Sequence, residues 1–363
     1  MQNEFTGDLG SLLRDVAGFN GKYGKASLNL QGLTWPAFEV KGLDLQGALF
    51  AMVTFQRQRI AGSRFRNCRF EGAGFNGTIF KESEFIECSF DHCTLTAARF
   101  EDCRFQGGGF SGCNFRFDEE EPGWTVFANT TFDGALFANT RMDKAGFEKA
   151  VIRNGRFEDI EYVDVSFSDC TLHEPRFTGG KFDHLYMGNC LLEKPSFDGP
   201  DLQDIQYEAS TIVGVAVKPG ANLKAFETPS VLFKDSTFDL SGLSGSFGLW
   251  GAQDCLIQNM DSKGEFGLGG AYSNVTVKNI QARIIQLNNG GRYDGCRFEG
   301  LHARDGYLDK ASFKGCLFKD FSAQEFLRMD DSDFQEVVWE NARLGPKVEF
   351  SAAGTIYAAN RPF

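Results

Sequence analysis

The sequence predicts an all-β fold of the solenoid type, a β-helix, and three observations predict it. From Leu45 to Phe115 a large apolar residue stands at every fifth position without a miss: Leu45, Phe50, Phe55, Ile60, Phe65, Phe70, Phe75, Phe80, Phe85, Phe90, Leu95, Phe100, Phe105, Phe110 and Phe115. Two residues before most of them stands a small one, such as Ala48, Ser63, Cys68, Ala73, Thr78, Ser83 or Cys88. Phe supplies 38 of the 363 residues against 8 Tyr and 4 Trp, as expected of stacked rings that need no polar handle.

A period of five matches neither the 3.6 of an amphipathic helix nor the 2 of a strand. It is the spacing of a repeat unit. Within each unit, residues i and i−2 share a side, as in an extended segment, while the others are mostly polar or Gly and face water. Each unit therefore turns one large and one small residue inward and then rounds a corner. Stacked corners make a solenoid.

Cys68-Arg69-Phe70-Glu71-Gly72 and Ala73-Gly74-Phe75-Asn76-Gly77 run small, polar, Phe, polar, Gly. In this pattern the chain resembles the pentapeptide-repeat family. The resemblance implies a right-handed quadrilateral β-helix with four pentapeptides, twenty residues, in each coil. Such a fold by itself names no activity.

Residues 1–27 precede the strict repeat. Asp8 is placed to cap a short helix carrying Leu9, Leu12, Leu13 and Val16, an N-terminal helical cap over the raw strand edge. Residues 28–115 form the first register, traceable from Leu30 through Trp35 and Val40, with large residues (Leu28, Leu33, Phe38, Leu43) in the small slots of the first coil. Residues 116–126 interrupt it, because Phe115 to Phe127 is twelve residues rather than ten. This reads as an acidic loop punctuated by Pro122-Gly123.

The second register, 127–212, runs unbroken in fives from Phe127 to Ile212, with Pro175, Pro195 and Pro200 in small slots. Residues 213–232, containing Lys218-Pro219-Gly220 and Thr228-Pro229, read as a second interruption. From 233 to 344 the five is lost and a spacing near twenty survives, which predicts a more degenerate C-terminal β-helical half. One column aligns Phe238, Ile257, Val277, Phe298, Phe318 and Phe334; a second aligns Leu249, Leu268, Leu287, Leu308 and Met329. The tail 345–363, with Phe350, Ile356, Tyr357 and Phe363, is expected to seal the far end.

Nine of the ten cysteines (Cys68, Cys88, Cys93, Cys103, Cys113, Cys170, Cys190, Cys296, Cys316) lie two before a core residue, the small inward slot. They read as packing residues. Pairs such as Cys68 and Cys88 would stack about 4.8 Å apart on adjacent coils, but ladder side chains run parallel, so free thiols are expected. The start, Met1 to Asp8, has neither the basic residues nor the apolar run of a signal peptide. No stretch is long and apolar enough to span a membrane. A cytoplasmic protein with no membrane partner is expected.

Apparent motifs dissolve on this scaffold. Gly107-Gly108-Gly109-Phe110-Ser111-Gly112 spells a dinucleotide fingerprint, but Phe110 is a core residue and no helix follows. No catalytic, cofactor-binding or metal-binding residue is assigned. His184 lies twenty residues from both Asp164 and Asp204 and reads as a surface ladder of alternating charge, like Arg64, Glu84 and Arg104. Asp305, Asp309, Asp330, Asp331 and Asp333 make an acidic zone that a carbohydrate-cleaving β-helix would need to place in a groove.

The net charge of −12 argues against direct nucleic-acid binding. Residues 30–115 balance nine basic against nine acidic side chains, while 116–126 carry −3 and 127–212 carry −7. The most acidic face sets Asp143, Glu161, Asp164, Asp183, Asp201 and Asp204 against Arg141, Lys144 and Lys181. The expectation is a non-enzymatic bacterial scaffold, a rigid rod docking a protein partner through Asp118, Glu119, Glu120, Glu121 and Trp124 of the loop and Asp143, Asp164, Asp183 and Asp204 of the acidic face. Two alternatives stand beside it. The family resemblance implies that an acidic rod can mimic DNA and bind a type II topoisomerase, although no clear amphipathic dimerisation helix is present. A β-helix enzyme or lectin acting on polysaccharide would use residues 236–344 as its groove.

Overall fold

The computed structural model describes residues 3–4, 8–24, 28–35, 38–116, 123–198, 205–208, 210–214, 216–217, 231–243, 245–288, 290–345 and 347–349. Two compact units, Met1–Leu191 and Leu192–Phe363, divide the chain. Each is a parallel β-helix.

In the first unit short strands, most of three residues, follow one another around four sides, and away from the stretch after Phe115 each pairs in parallel with the strand twenty residues on. Leu45 meets Phe65, Phe50 meets Phe70, Phe55 meets Phe75 and Ile60 meets Phe80. The period of five is thus one side, and four sides make a coil. All these residues are 1% exposed or less.

Register dictates the ring geometry. Phe50, Phe70 and Phe90 stack at 4.5 and 4.6 Å with planes 11° and 9° apart. Rings on neighbouring sides meet edge to face, as Phe65 and Phe80 do at 84°. A column at the strand spacing of about 4.8 Å leaves offset stacking as the one arrangement available within it.

Corners are turned by the second residue after each core residue, which sits in the left-handed region: Asn67, Glu82, Glu87 and Asp102 have φ between 49° and 55°. A side chain there costs about 1–2 kcal/mol. The solenoid compensates by giving each corner N–H a partner, as Asn67 donates to Ile86 O at 2.8 Å.

Two helices, α1 (Leu9–Leu13) and α2 (Val16–Tyr23), stand where one was expected. Asp8 caps α1, accepting from Gly10 N at 3.0 Å. Asp15 ends the run and caps α2, accepting from Gly18 N at 3.0 Å. Leu9, Leu13 and Phe19 are buried. Asn20 then clamps the open edge of the sheet: its Nδ2 donates to Gly42 O at 2.7 Å and its Oδ1 accepts from Asp44 N at 2.9 Å. The side chain stands in for a missing strand.

In the second unit the sides are longer and less even, with strands such as Thr276–Gln286 and Arg297–Tyr307 of 11 residues. Leu249, Leu268, Leu287, Leu308 and Met329 are all buried, as their spacing required. The other column needs one correction. Phe238, Ile257, Val277, Phe298 and Phe318 pair in succession, but the next member is Trp339, not Phe334. Phe334 belongs to the preceding side, stacked on Phe313 at 4.9 Å, while Trp339 stacks on Phe318 at 4.2 Å. Across the stretch read as a second interruption, Ile212 pairs with Phe233 and Val217 with Phe238, a step of 21 residues. The tail residues Phe350, Ile356, Tyr357 and Phe363 lie outside the described residues, as do Lys218-Pro219-Gly220 and Thr228-Pro229.

All ten cysteines are buried and none is in a disulfide. Each thiol finds backbone carbonyls: Cys103 Sγ donates to Phe80 O at 3.4 Å and Glu101 O at 3.3 Å. Burial pushes the Cys103 thiol up to about 12.

Candidate functional site

The insertion after Phe115 sets one corner of the first unit apart from its neighbours. Before it, partners lie twenty residues apart. Across it Phe100 pairs with Phe127, Phe105 with Phe132 and Phe110 with Phe137, a step of twenty-seven. Seven residues are therefore extra, not two, because Phe115 and Phe127 occupy adjacent sides with no unit between them. The ladder is undisturbed: Thr125 fills the small slot before Phe127 and donates to Leu95 O at 2.9 Å.

Trp124 closes the insertion and is 39% exposed. Thr125 pairs with Ala145, so the register neighbour of Trp124 on the next coil is the corner residue Lys144. The indole leans over Gly146, where a Cβ would stand 3.7 Å from its Cε3. Below Lys144 the corner continues with Asp164 and then His184, all three at positive φ. His184 Nδ1 lies 2.9 Å from Asp183 Oδ1 and 3.8 Å from Asp164 Oδ1. Trp124, Asp164, Asp183 and Asp143 thus come together along one edge and its adjoining side, with Asp143 and Asp183 each stacked against Val163. Asp118, Glu119, Glu120, Glu121 and Asp204 lie outside the described residues.

This side alternates in charge. Glu161 is held by Arg141 at 2.5 Å and has Lys181 as its other register partner. Lys144 neighbours Asp164 at the corner. Exposed pairs of this kind contribute about 0–1 kcal/mol each, so they add little to stability. Lys144 escaped the sequence reading as a site residue, yet twenty added to Trp124 lands on it.

Elsewhere the carboxylates are engaged. Asp305 accepts from Arg304 Nε and Nη2 at 3.0 and 2.9 Å, and Asp309 from Arg328 Nη2 at 2.8 Å. An open depression of about 590 Å³ is lined by Asp235, Thr237, Asp254, Asn274 and Thr276, where Asn274 Nδ2 donates to Asp254 Oδ1 at 3.1 Å. Among the described residues no group of three or more His, Cys, Asp or Glu is arranged to hold a metal ion. No helix among them is long and apolar enough to cross a membrane.

Residues 83–116 match the family described as pentapeptide repeats (8 copies). No curated protein matches the chain. Among solved structures it is similar to QnrB1, a plasmid-mediated fluoroquinolone resistance protein, at 17% identity over 58% of this chain and 90% of that one, with a TM-score of 0.25. It is similar to HetL, a pentapeptide repeat protein involved in heterocyst differentiation regulation from Nostoc sp. strain PCC 7120, at 13% identity over 93% and 95%, TM-score 0.18. It is also similar to the Streptococcus pneumoniae surface protein and adhesin PfbA, at 9% identity over 99% of each chain, TM-score 0.30. Likenesses this distant carry nothing about function.

Proposed function

We propose that this chain, a pentapeptide-repeat protein, is a rigid non-enzymatic scaffold that docks a protein partner at the corner formed by Trp124, Lys144, Asp164 and His184. The observation that carries this reading is the exposed Trp124 at the close of an insertion that leaves the strand ladder in register. An aromatic anchor ringed by charges of both signs suits a protein surface. Paired strands on every side of the corner hold it in place, so little ordering entropy is lost on binding. Ten buried cysteines held as thiols suit a reducing, cytoplasmic setting.

A photo-crosslinking residue at position 124, with one at position 69 on another side as control, tests the proposal in cells of the source organism. A discrete adduct from 124 and none from 69 is expected. Equal labelling from both positions would remove the corner from consideration.

A DNA-mimic that regulates or protects a type II topoisomerase is the weaker reading. A mimic of duplex DNA needs a regular run of negative charge, whereas Glu161 stands between Arg141 and Lys181 and Asp164 lies beside Lys144. The expected outcome in a gyrase supercoiling assay is neither inhibition nor protection from drug. Cleavage of a polysaccharide would need a free acid and base, and Asp305 and Asp309 each have an oxygen held by an arginine.

A further inference from the structure

One side of the second unit differs from every side of the first. Its outward column runs Gly248, Gly267, Gln286, Tyr307, Arg328 over five successive rungs. The residues just before them, Phe247, Phe266, Ile285 and Leu327, are buried, which turns the column to solvent. The first two rungs have no side chain there; the next three bring an amide, a phenol and a guanidinium. At about 4.8 Å per rung the column spans roughly 19 Å.

Trp250 borders the bare end. A Cβ built on Gly269 would meet its Cε3, Cζ3 and Cδ2 at 3.4, 3.5 and 3.6 Å. Three ring atoms at nearly equal distance mean that the benzo ring lies flat over the glycine. Its other face is turned outward, with the residue 41% exposed. An outward flat aromatic face beside a bare floor receives the hydrocarbon face of a pyranose, as it does other flat apolar surfaces.

The far end supplies the polar contact. The Arg328 guanidinium lies 5.2 Å over the Tyr307 ring, and its Nη2 donates to Asp309 Oδ2 at 2.8 Å. The Asp309 side chain is 6% exposed. Its Oδ1 and the Arg328 Nε are buried with no hydrogen-bond partner. Neither atom is open to solvent while the pair is closed; once the Arg328 side chain, 38% exposed, swings outward, one hydroxyl can give its proton to Oδ1 and accept the Nε–H. The Asp309–Arg328 and Asp305–Arg304 pairs already cancel their own charges, so the ligand they suit is neutral.

We propose that this side, from Trp250 to Arg328, binds a neutral linear glycan laid along the column, with a sugar ring stacked on Trp250 and a hydroxyl seated between Asp309 and Arg328. The site lies on the second unit and does not depend on the Trp124 corner.

Isothermal titration calorimetry of the full chain with cellohexaose, laminarihexaose and maltohexaose tests it. At least one hexaose binds saturably, with the same affinity in Trp124→Ala and with affinity lowered about tenfold or more in Trp250→Ala and in Gly267→Leu. Gly267→Leu obstructs the floor without disturbing the fold, since the nearest atom to a Cβ there is Phe247 O at 4.0 Å. No binding of any of the three hexaoses, or an affinity unchanged in either variant, would overturn the proposal.

Discussion

Trp124 leans over Gly146, with the indole Cε3 3.7 Å from where a Cβ on that glycine would be, and nothing in the solenoid core depends on it. More than half of the Trp124 surface is covered, so Trp124→Ala is expected to lower stability by about 1–2 kcal/mol while leaving the core packed. Replacing residues 117–124 by a single Gly restores the spacing of five between Phe115 and Phe127, with Gly at the left-handed corner, and is expected to hold or raise stability. A large loss in either variant would mean that the insertion supports the core.

Asn20 substitutes for a strand at the exposed edge, bonded to Gly42 O and Asp44 N. Asn20→Ala leaves two edge groups without these partners. A loss of about 1–3 kcal/mol is expected, together with concentration-dependent association in sedimentation velocity as the bare edge finds another chain. A monomer of unchanged stability would contradict the capping role.

Ala97 and Ala98 are adjacent, yet glycine should act on them in opposite directions. Ala97 has φ of 51°, so Ala97→Gly relieves a left-handed alanine and is expected to stabilise by about 1 kcal/mol. Ala98 fills a fully buried inward slot, and Ala98→Gly should destabilise by about 0.5–1 kcal/mol or more. Denaturant melts of the two variants decide, and the same sign for both would refute the corner geometry.

The buried Cys103 thiol predicts alkaline sensitivity. It is pushed up to about 12 by burial, from 9.0 for an ordinary thiol. Between those values the unfolded chain releases a proton that the folded chain keeps, so stability falls as pH rises, by about 1.4 kcal/mol per pH unit. Below the unfolded value this thiol is protonated in both states and contributes no slope. Urea unfolding of the wild type and Cys103→Ala at pH 8 and above pH 10 would show the drop in the wild type alone, and the same profile for both would mean that the Cys103 thiol is not held in the core.

The fold was legible because each coil repeats one chemical statement: Phe50, Phe70 and Phe90 are alike because they touch one another. Where contacts are not between like residues, counting failed. Phe334 was aligned with Phe318 although Trp339 is the ring that stacks there, since letter identity stood in for register in rungs of 21 residues. The insertion was undercounted because a multiple of five was assumed on both sides of it, when only the pairing of Phe100 with Phe127 shows which side each residue occupies. Asp15 looked like an interior helix residue until its carboxylate was seen capping α2. The members of the candidate corner were visible singly, and the rule of twenty linked Asp164 to His184. The same rule carries Trp124 through Lys144 to Asp164, a link hidden while the tryptophan is read as part of a loop outside the repeat.

The most direct test of the docking corner is the affinity of the partner crosslinked through position 124 for three forms of the full chain: unaltered, Trp124→Ala, and the form with residues 117–124 replaced by Gly. The scaffold reading predicts binding weakened about tenfold or more in both variants, the loss of one good anchor, with both variants still folded in cooperative melts. Equal affinity for all three forms would show that the insertion is only a spacer and that the docking surface lies elsewhere.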